Sequence, residues 1–202
     1  LYSASPVEIL SSVFFANQAG ESGAGMHVVS APATVRQCTL VGNRSTWGNG
    51  IWLEGAALEV SNSIIWRNGD LGTNFESIFG SLDATAVVSF SNVQFSEVWA
   101  GVGNILEEPR FVDESSGDLR LRSDSPCIDA ANDAVAPLVD LFGRSRIDVA
   151  GVGTAGTVAD MGALEGYCGN GTTDADEECD RGALNSDDPD QTCRTHCVSG
   201  PV

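Results

Sequence analysis

Four cysteines crowd the end of the chain at Cys168, Cys179, Cys193 and Cys197, with ten, thirteen and three positions between them. Thiols this dense either oxidise in pairs or hold a metal. A stretch of about thirty residues buries too little apolar surface to fold unaided, so two disulfides are the simpler expectation, with three connectivities open. Zinc, with His196 nearby, is the rival reading, but the paired Cys-x2-Cys knuckles that favour it are missing. The same stretch concentrates acid at Asp174, Asp176, Glu177, Glu178, Asp180, Asp187, Asp188 and Asp190. Hard oxygen donors at this density suit Ca2+, and Asn170, Asp180, Asn185 and Asp187 are the expected ligands, although their spacing is not that of an EF-hand loop. Elsewhere, Cys38 and Cys127 either bridge or act as small buried apolar residues.

Acid-base chemistry has fewer candidates. Eliminative cleavage of a uronic-acid polymer needs a base, and with no Lys and ten Arg only arginine is on offer. Arg36 and Arg67 align with each other and with Leu10 on the repeat described next, which makes a surface pair the expectation. Hydrolysis needs clustered carboxylates, yet residues 7–68 hold only Glu8, Glu21, Glu54 and Glu59 and no Asp. His27, between Met26 and Val28, reads as a solvated strand residue. Asp129, Asp140, Asp160 and Glu165 form either a structural set or a catalytic carboxylate pair. No Gly-x-Ser-x-Gly elbow, His-Glu-x-x-His helix or phosphate loop occurs. Trp47, Trp52 and Trp66 fall close together on the repeat and make either a sugar-stacking ligand face or core and corner packing.

Whatever chemistry exists must be positioned by a repeat. Residues 9–17, 35–43 and 60–68 carry the same pattern, each ending on an asparagine, at Asn17, Asn43 and Asn68. The period is about 25, within the range that signals an array of stacked units. Gly23-Ala24-Gly25-Met26 recurs one period on as Gly48-Asn49-Gly50-Ile51. Each unit holds two short β-branched and aromatic runs broken by Gly, Asn and Ser, and none has the 3.6 periodicity of a helix. Such units bury their apolar faces only by stacking, which predicts an all-β, right-handed parallel β-helix with about 4.8 Å per rung. The three asparagines are expected to form a hydrogen-bonded ladder at a corner, in a left-handed backbone, and the paired glycines to mark another corner. A weaker copy at Val88-Ser89-Phe90-Ser91-Asn92-Val93 arrives later than one period, with the extra length looped out between Gly69 and Asp83.

From Pro109 the repeat gives way to Pro109-Arg110-Phe111-Val112-Asp113, Gly117-Asp118-Leu119-Arg120-Leu121, Ser125-Pro126-Cys127-Ile128-Asp129-Ala130, Asp140-Leu141-Phe142-Gly143-Arg144-Ser145-Arg146 and Asp160-Met161-Gly162-Ala163-Leu164-Glu165. This order resembles the closing segment of bacterial surface β-helix proteins, those classed by their choice of anchor. With the rungs the resemblance covers about residues 7 to 166, and it implies fold and a surface address but no reaction. Read from its residues, the segment is a cap over the open solenoid end. Gly117 offers a turn before a strand at 118–122, Pro126 and Pro137 halt pairing, and Arg146 is a bidentate partner for Asp160 or Glu165. The stretch Cys168-Gly169-Asn170-Gly171 with Glu177-Glu178-Cys179-Asp180 and Cys193-Arg194-Thr195-His196-Cys197 resembles the Cys-rich repeat of secreted myxobacterial proteins. It departs from that pattern at Pro189-Asp190-Gln191-Thr192, where a Gly-Asp-Gly run is usual.

These readings divide the chain into rungs at 1–108, a cap at 109–166 and an acidic Cys-rich repeat at 167–202. A net charge of −18 opposes nucleic acid, anionic lipid and unbridged polyanionic glycans. No apolar run is long enough to span a membrane, and the start lacks a leader pattern and Met, as expected of a processed or excised piece. The first rung begins so early that upstream rungs or a head-to-tail neighbour are expected to cover it. The expected role is a secreted or cell-surface structural or adhesive module whose partners are other surface proteins or polysaccharide. The alternative is part of a carbohydrate-active β-helix, a lyase or glycoside hydrolase with catalytic rungs upstream.

Overall fold

The computed structural model describes residues 2–3, 5–69, 77–149, 153–154 and 156–166. The four terminal cysteines and the expected calcium ligands Asn170, Asp180, Asn185 and Asp187 lie outside the described residues. The chain forms two compact units, Leu1–Glu107 with Met161–Ala163, and Glu108–Asp160 with Leu164–Val202.

The first unit is an all-β parallel solenoid of about three turns that stacks four layers of strand. The first layer holds β1 (Tyr2–Ser3), β2 (Val7–Leu10) and β3 (Val13–Phe15), and the second β4 (Met26–Val29), β5 (Ala33–Arg36) and β6 (Thr39–Val41). The third holds β7 (Ile51–Glu54), β8 (Ala57–Ser61) and β9 (Ile64–Trp66), and the fourth β10 (Ile78–Gly80), β11 (Thr85–Ser89) and β12 (Asn92–Val93). Strands of the same order in successive layers pair in parallel, giving three four-stranded sheets.

Alternation explains the core. Met26, Ile51 and Ile78 are in register and buried, as are Val35, Val60 and Val88, and Leu40, Ile65 and Val93. Each inward side chain rests on its counterpart one layer away, so every layer contributes apolar area that no single layer could bury. Sheet β3-β6-β9-β12 is also covered outside: Gly162 lies against Thr39 and Ile64 so closely that a Cβ there would stand 2.7 and 2.9 Å from them. That segment is tied by Gly162 N–H to the Asn62 carbonyl (2.8 Å), Gln37 Nε2 to the Gly162 carbonyl (3.0 Å) and Ala163 N–H to Thr39 Oγ1 (2.9 Å).

Two side-chain ladders run up the corners. Asn17 Nδ2 donates to Asn43 Oδ1 and Asn43 Nδ2 to Asn68 Oδ1, both at 2.8 Å, and the backbone N–H of the first of each pair donates to the same oxygens. The left-handed residue at this corner is not the asparagine but the one before it, Ala16, Gly42 or Arg67 (φ 54, 69 and 48°). At the corner before it, Cys38 N–H donates to Ser63 Oγ and Ser63 N–H to Ser91 Oγ, each at 3.1 Å. Cys38 stands in a serine position of this second ladder. Its thiol donates to the Arg36 carbonyl at 3.2 Å as Ser63 Oγ does to that of Ser61 at 2.8 Å. Cys38 and Cys127 are both buried thiols and are not bridged to one another.

Other expectations shift in part. The fourth layer pairs as its sequence match has it, with Val88 over Val60, Ser89 over Ser61 and Val93 over Ile65. Part of the stretch expected to loop out is strand β10, whose Ile78 continues the inward row above Ile51. Of the paired glycines, Gly23 and Gly48 are left-handed (φ 61 and 53°), whereas Gly25 and Gly50 make room for a carbonyl of the next layer that a Cβ there would strike. Residues 101–107 lie along the fourth layer, with Ile105 bridging Asn92 and Asn104 Oδ1 accepting from Ser91 N–H at 3.1 Å.

The described residues of the second unit have little regular structure. β13 (Phe111–Asp113) and β14 (Asp118–Leu121) pair antiparallel around a single 3-10 turn, which Asp113 caps and the left-handed Gly117 closes. The remaining described residues are turns and loops. Among the described residues no helix is long and apolar enough to cross a membrane.

The asparagine ladder yields an ordered prediction. Asn43→Ala orphans donors on Asn17 and the Phe14 carbonyl, both part-buried, removes a buried bond to Asn68, and should destabilise the solenoid by about 3 kcal/mol. Asn17→Ala, at an exposed position, should cost about 1 kcal/mol. Urea unfolding followed by tryptophan fluorescence reads this directly, because Trp47, Trp52, Trp66 and Trp99 all belong to the first unit. Equal losses would reject the ladder as the source of stability.

Candidate functional site

An open cleft of about 560 Å³ lies on the solenoid where the outer face of sheet β1-β4-β7-β10 meets the corner before it. Its aromatic wall is Trp47 and Trp52. Trp47 is 55% exposed, while half-buried Trp52 packs on Phe79 with ring centroids 5.3 Å apart and planes at 34°. Glu21 and Glu54 supply carboxylates, His27 an imidazole, and Ser22, Thr46 and Ser81 hydroxyls.

The repeat sets each position. His27, Trp52 and Phe79 are in register on β4, β7 and β10, so alternation points all three out of the same sheet. Trp47 is fixed by its backbone: its N–H donates to the Glu21 carbonyl at 2.9 Å and its carbonyl accepts from Gly23 N–H at 3.1 Å. Thr46 Oγ1 donates to the Gly20 carbonyl at 3.0 Å. Across the layers His27 Nε2 lies 3.4 Å from Glu54 Oε2. An exposed indole beside hydroxyls and carboxylates can stack on an apolar ligand face and accept hydrogen bonds around its edge.

Trp66 does not join Trp47 and Trp52. It is 8% exposed on β9, in a different sheet, over Val41. Arg36 and Arg67 do not form a pair either: Arg36 ends β5 in register with Leu10 and Ser61 and meets Glu8 at 3.5 Å, whereas Arg67 turns the following corner at the Gly42 position. The asparagine-anchored repeat itself separates them, setting Arg36 with Leu10 and Ser61 and Arg67 with Ala16 and Gly42.

In the second unit Asp129, Asp140, Asp160 and Glu165 are buried, at 0, 4, 0 and 1% exposure. Each accepts backbone donors. Asp160 takes Asp129 N–H (2.8 Å) and Gly166 N–H (2.6 Å), Asp140 takes Phe142 and Arg144 N–H (2.8 and 2.9 Å), and Glu165 takes Ile147 N–H (3.0 Å). Arg146 Nη1 meets Glu165 Oε2 at 2.5 Å in a single contact rather than a bidentate one, while its Nε donates to the Pro137 carbonyl. Asp129 Oδ2 accepts from Val149 N–H at 2.8 Å, and its Oδ1 is buried without a partner. Burial pushes the Asp129 carboxyl up to about 7, opposed by the Val149 N–H and reinforced by Asp148, Glu165 and Asp133. Burial, reinforced by the Glu165 charge, raises Asp160 well above the ordinary range. Glu165 is raised by burial and held back by Ile147 N–H and Arg146. Groups this enclosed and this committed to backbone donors act as structural staples, not as a pair open to a dissolved substrate.

Among the described residues no group of three or more His, Cys, Asp or Glu stands in a metal-holding arrangement. No protein-family model, curated protein or solved structure matches the chain.

Asp129 keeps its proton in the fold to about pH 7 but releases it near the ordinary 3.8 when unfolded. Between those values unfolding releases a proton, so the second unit should lose stability as pH rises, by at most about 1.4 kcal/mol per pH unit, with the loss complete above pH 7. Carboxyl-carbon NMR shifts should show one aspartate titrating near 7 that vanishes in Asp129→Asn. A midpoint near 3.8 would reject the assignment.

Proposed function

We infer that the chain is a secreted or surface-attached, non-catalytic adhesive module whose right-handed β-helix presents a glycan-binding cleft. The observation that carries this reading is the half-exposed Trp47 indole flanking Trp52, with Glu21, Glu54 and three hydroxyl residues in the same cleft. Right-handedness follows from the hand that parallel crossovers adopt. The extracellular address rests on the two motif resemblances and on four closely spaced cysteines suited to an oxidising compartment. In this reading residues 109–166 serve as the closing segment. The Cys-rich repeat is held by disulfides among Cys168, Cys179, Cys193 and Cys197, with Ca2+ at Asn170, Asp180, Asn185 and Asp187.

Calorimetric titration with a panel of neutral and charged oligosaccharides tests the adhesive reading. At least one class should bind, quench tryptophan fluorescence and be recovered unshortened, and the Trp47→Ala chain should lose it. Binding by no member of the panel would remove the glycan role, and release of shortened products would put a carbohydrate-active enzyme in its place.

Alkylation separates the cysteines. Burial pushes the Cys38 thiol up to about 11, so Cys38 should stay unlabelled in the fold and react only on denaturation, as should buried Cys127. Cys168, Cys179, Cys193 and Cys197 should resist labelling even in denaturant until a reductant is added. Labelling of those four without reductant would overturn both the disulfides and the oxidising address.

A further inference from the structure

The charge of the cleft narrows its ligand. The lining holds two carboxylates and no arginine: Glu54 has His27 at 3.4 Å, Glu21 faces no basic residue of the lining, and the chain as a whole carries −18. Indole faces attract cations through their negative quadrupole, most strongly that of Trp. A site for a purely neutral sugar needs hydroxyls and amides around its aromatic platform but gains nothing from net negative charge. A uronic or sulfated sugar would be repelled. An ammonium group on a pyranose ring suits these features together: the ring carbons can stack on an indole, the charge is drawn to the carboxylates of the lining, and the remaining hydroxyls can meet Ser22 and Thr46.

The geometry also favours a polymer over a free sugar. His27, Trp52 and Phe79 occupy successive layers of one outward row. Layers repeat at about 4.8 Å, close to the length of one pyranose in an extended chain, so a glycan laid along the stacking axis brings successive rings over successive layers. We propose that the cleft binds a polycationic glycan built of protonated amino sugars. This rests on the glycan-binding reading above and specifies its ligand.

The test compares fully deacetylated glucosamine oligomers with their N-acetylated counterparts and with glucose oligomers of equal length, by calorimetry on the full chain at roughly pH 5.5, where a primary amine is protonated. The deacetylated oligomer should bind at least about fivefold tighter than either control, the scale of an exposed charge pair, and the advantage should shrink as salt is raised. Glu54→Gln and Glu21→Gln should each erode that preference, and Trp47→Ala should weaken all three sugars. Glu21 and Trp47 are exposed, so their variants report binding rather than folding. Equal or tighter binding of the neutral oligomers would overturn the polycationic ligand while leaving the glycan role standing. Binding of none would overturn both.

Discussion

A parallel solenoid can pair one layer with the next only if every layer turns at the same residue, because a corner shifted by one position would turn each following side chain to the opposite face. That superposition requirement governs the first unit. Ser11, Gln37, Asn62 and Phe90 all turn left-handed at φ 43 to 54°, an arrangement that costs a non-glycine residue about 1 kcal/mol or more. The residue after the turn carries the compensation. Cys38, Ser63 and Ser91 follow Gln37, Asn62 and Phe90, and Asn17, Asn43 and Asn68 follow Ala16, Gly42 and Arg67. Where the left-handed residue interrupts the strand, the next N–H is taken up by a side-chain oxygen of the layer stacked on it. Strain and ladder therefore form one device, repeated at two corners.

The second unit solves the same backbone problem without layers. Between Leu121 and Gly166 the described residues form no strand or helix, so the N–H groups of Asp129, Phe142, Arg144, Ile147, Val149 and Gly166 need acceptors from side chains. Carboxylates supply them, because a charged acceptor makes a stronger bond than a neutral one. Packing several into one interior raises their affinity for protons, and among the arginines of the described residues Arg146 is drawn in against Glu165. Asp133, nearer the surface, does the same for Val158 and Ala159.

The elements legible in advance were those that recur. The asparagines and glycines announced a turn of fixed length because any change at those positions breaks pairing in two directions. Less legible was the fourth layer, since Ile78–Gly80 keeps only an apolar inward residue and no asparagine or glycine pair marks its place. For Cys38 composition offers only a bridge or apolar packing, although Ser63 and Ser91 share its register and show what the position demands. Met161–Ala163 against Thr39 and Ile64 joins stretches far apart in the sequence, and nothing local announces such a contact. Trp66 was grouped with Trp47 and Trp52 by proximity along the repeat, but strand membership decides exposure, and β9 is buried throughout.

The division between repeated and unrepeated positions also explains where chemistry can reside. Inward residues must match the layer above in volume, and corner residues must match it in hydrogen bonding. Outward residues of sheet β1-β4-β7-β10 are bound by neither demand. Along that sheet His27, Trp52 and Phe79 share one row and Val29 and Glu54 another, differing in charge and polarity while the buried row beside them stays aliphatic. Glu21 and Trp47 enjoy the same freedom at the adjoining corner, where the backbone is held by the Glu21 carbonyl and Gly23 N–H rather than by either side chain. A scaffold this strict inside is tolerant outside, so the residues that break the repeat are the ones whose identity the fold does not explain, and in the first unit several of them gather in a single cleft.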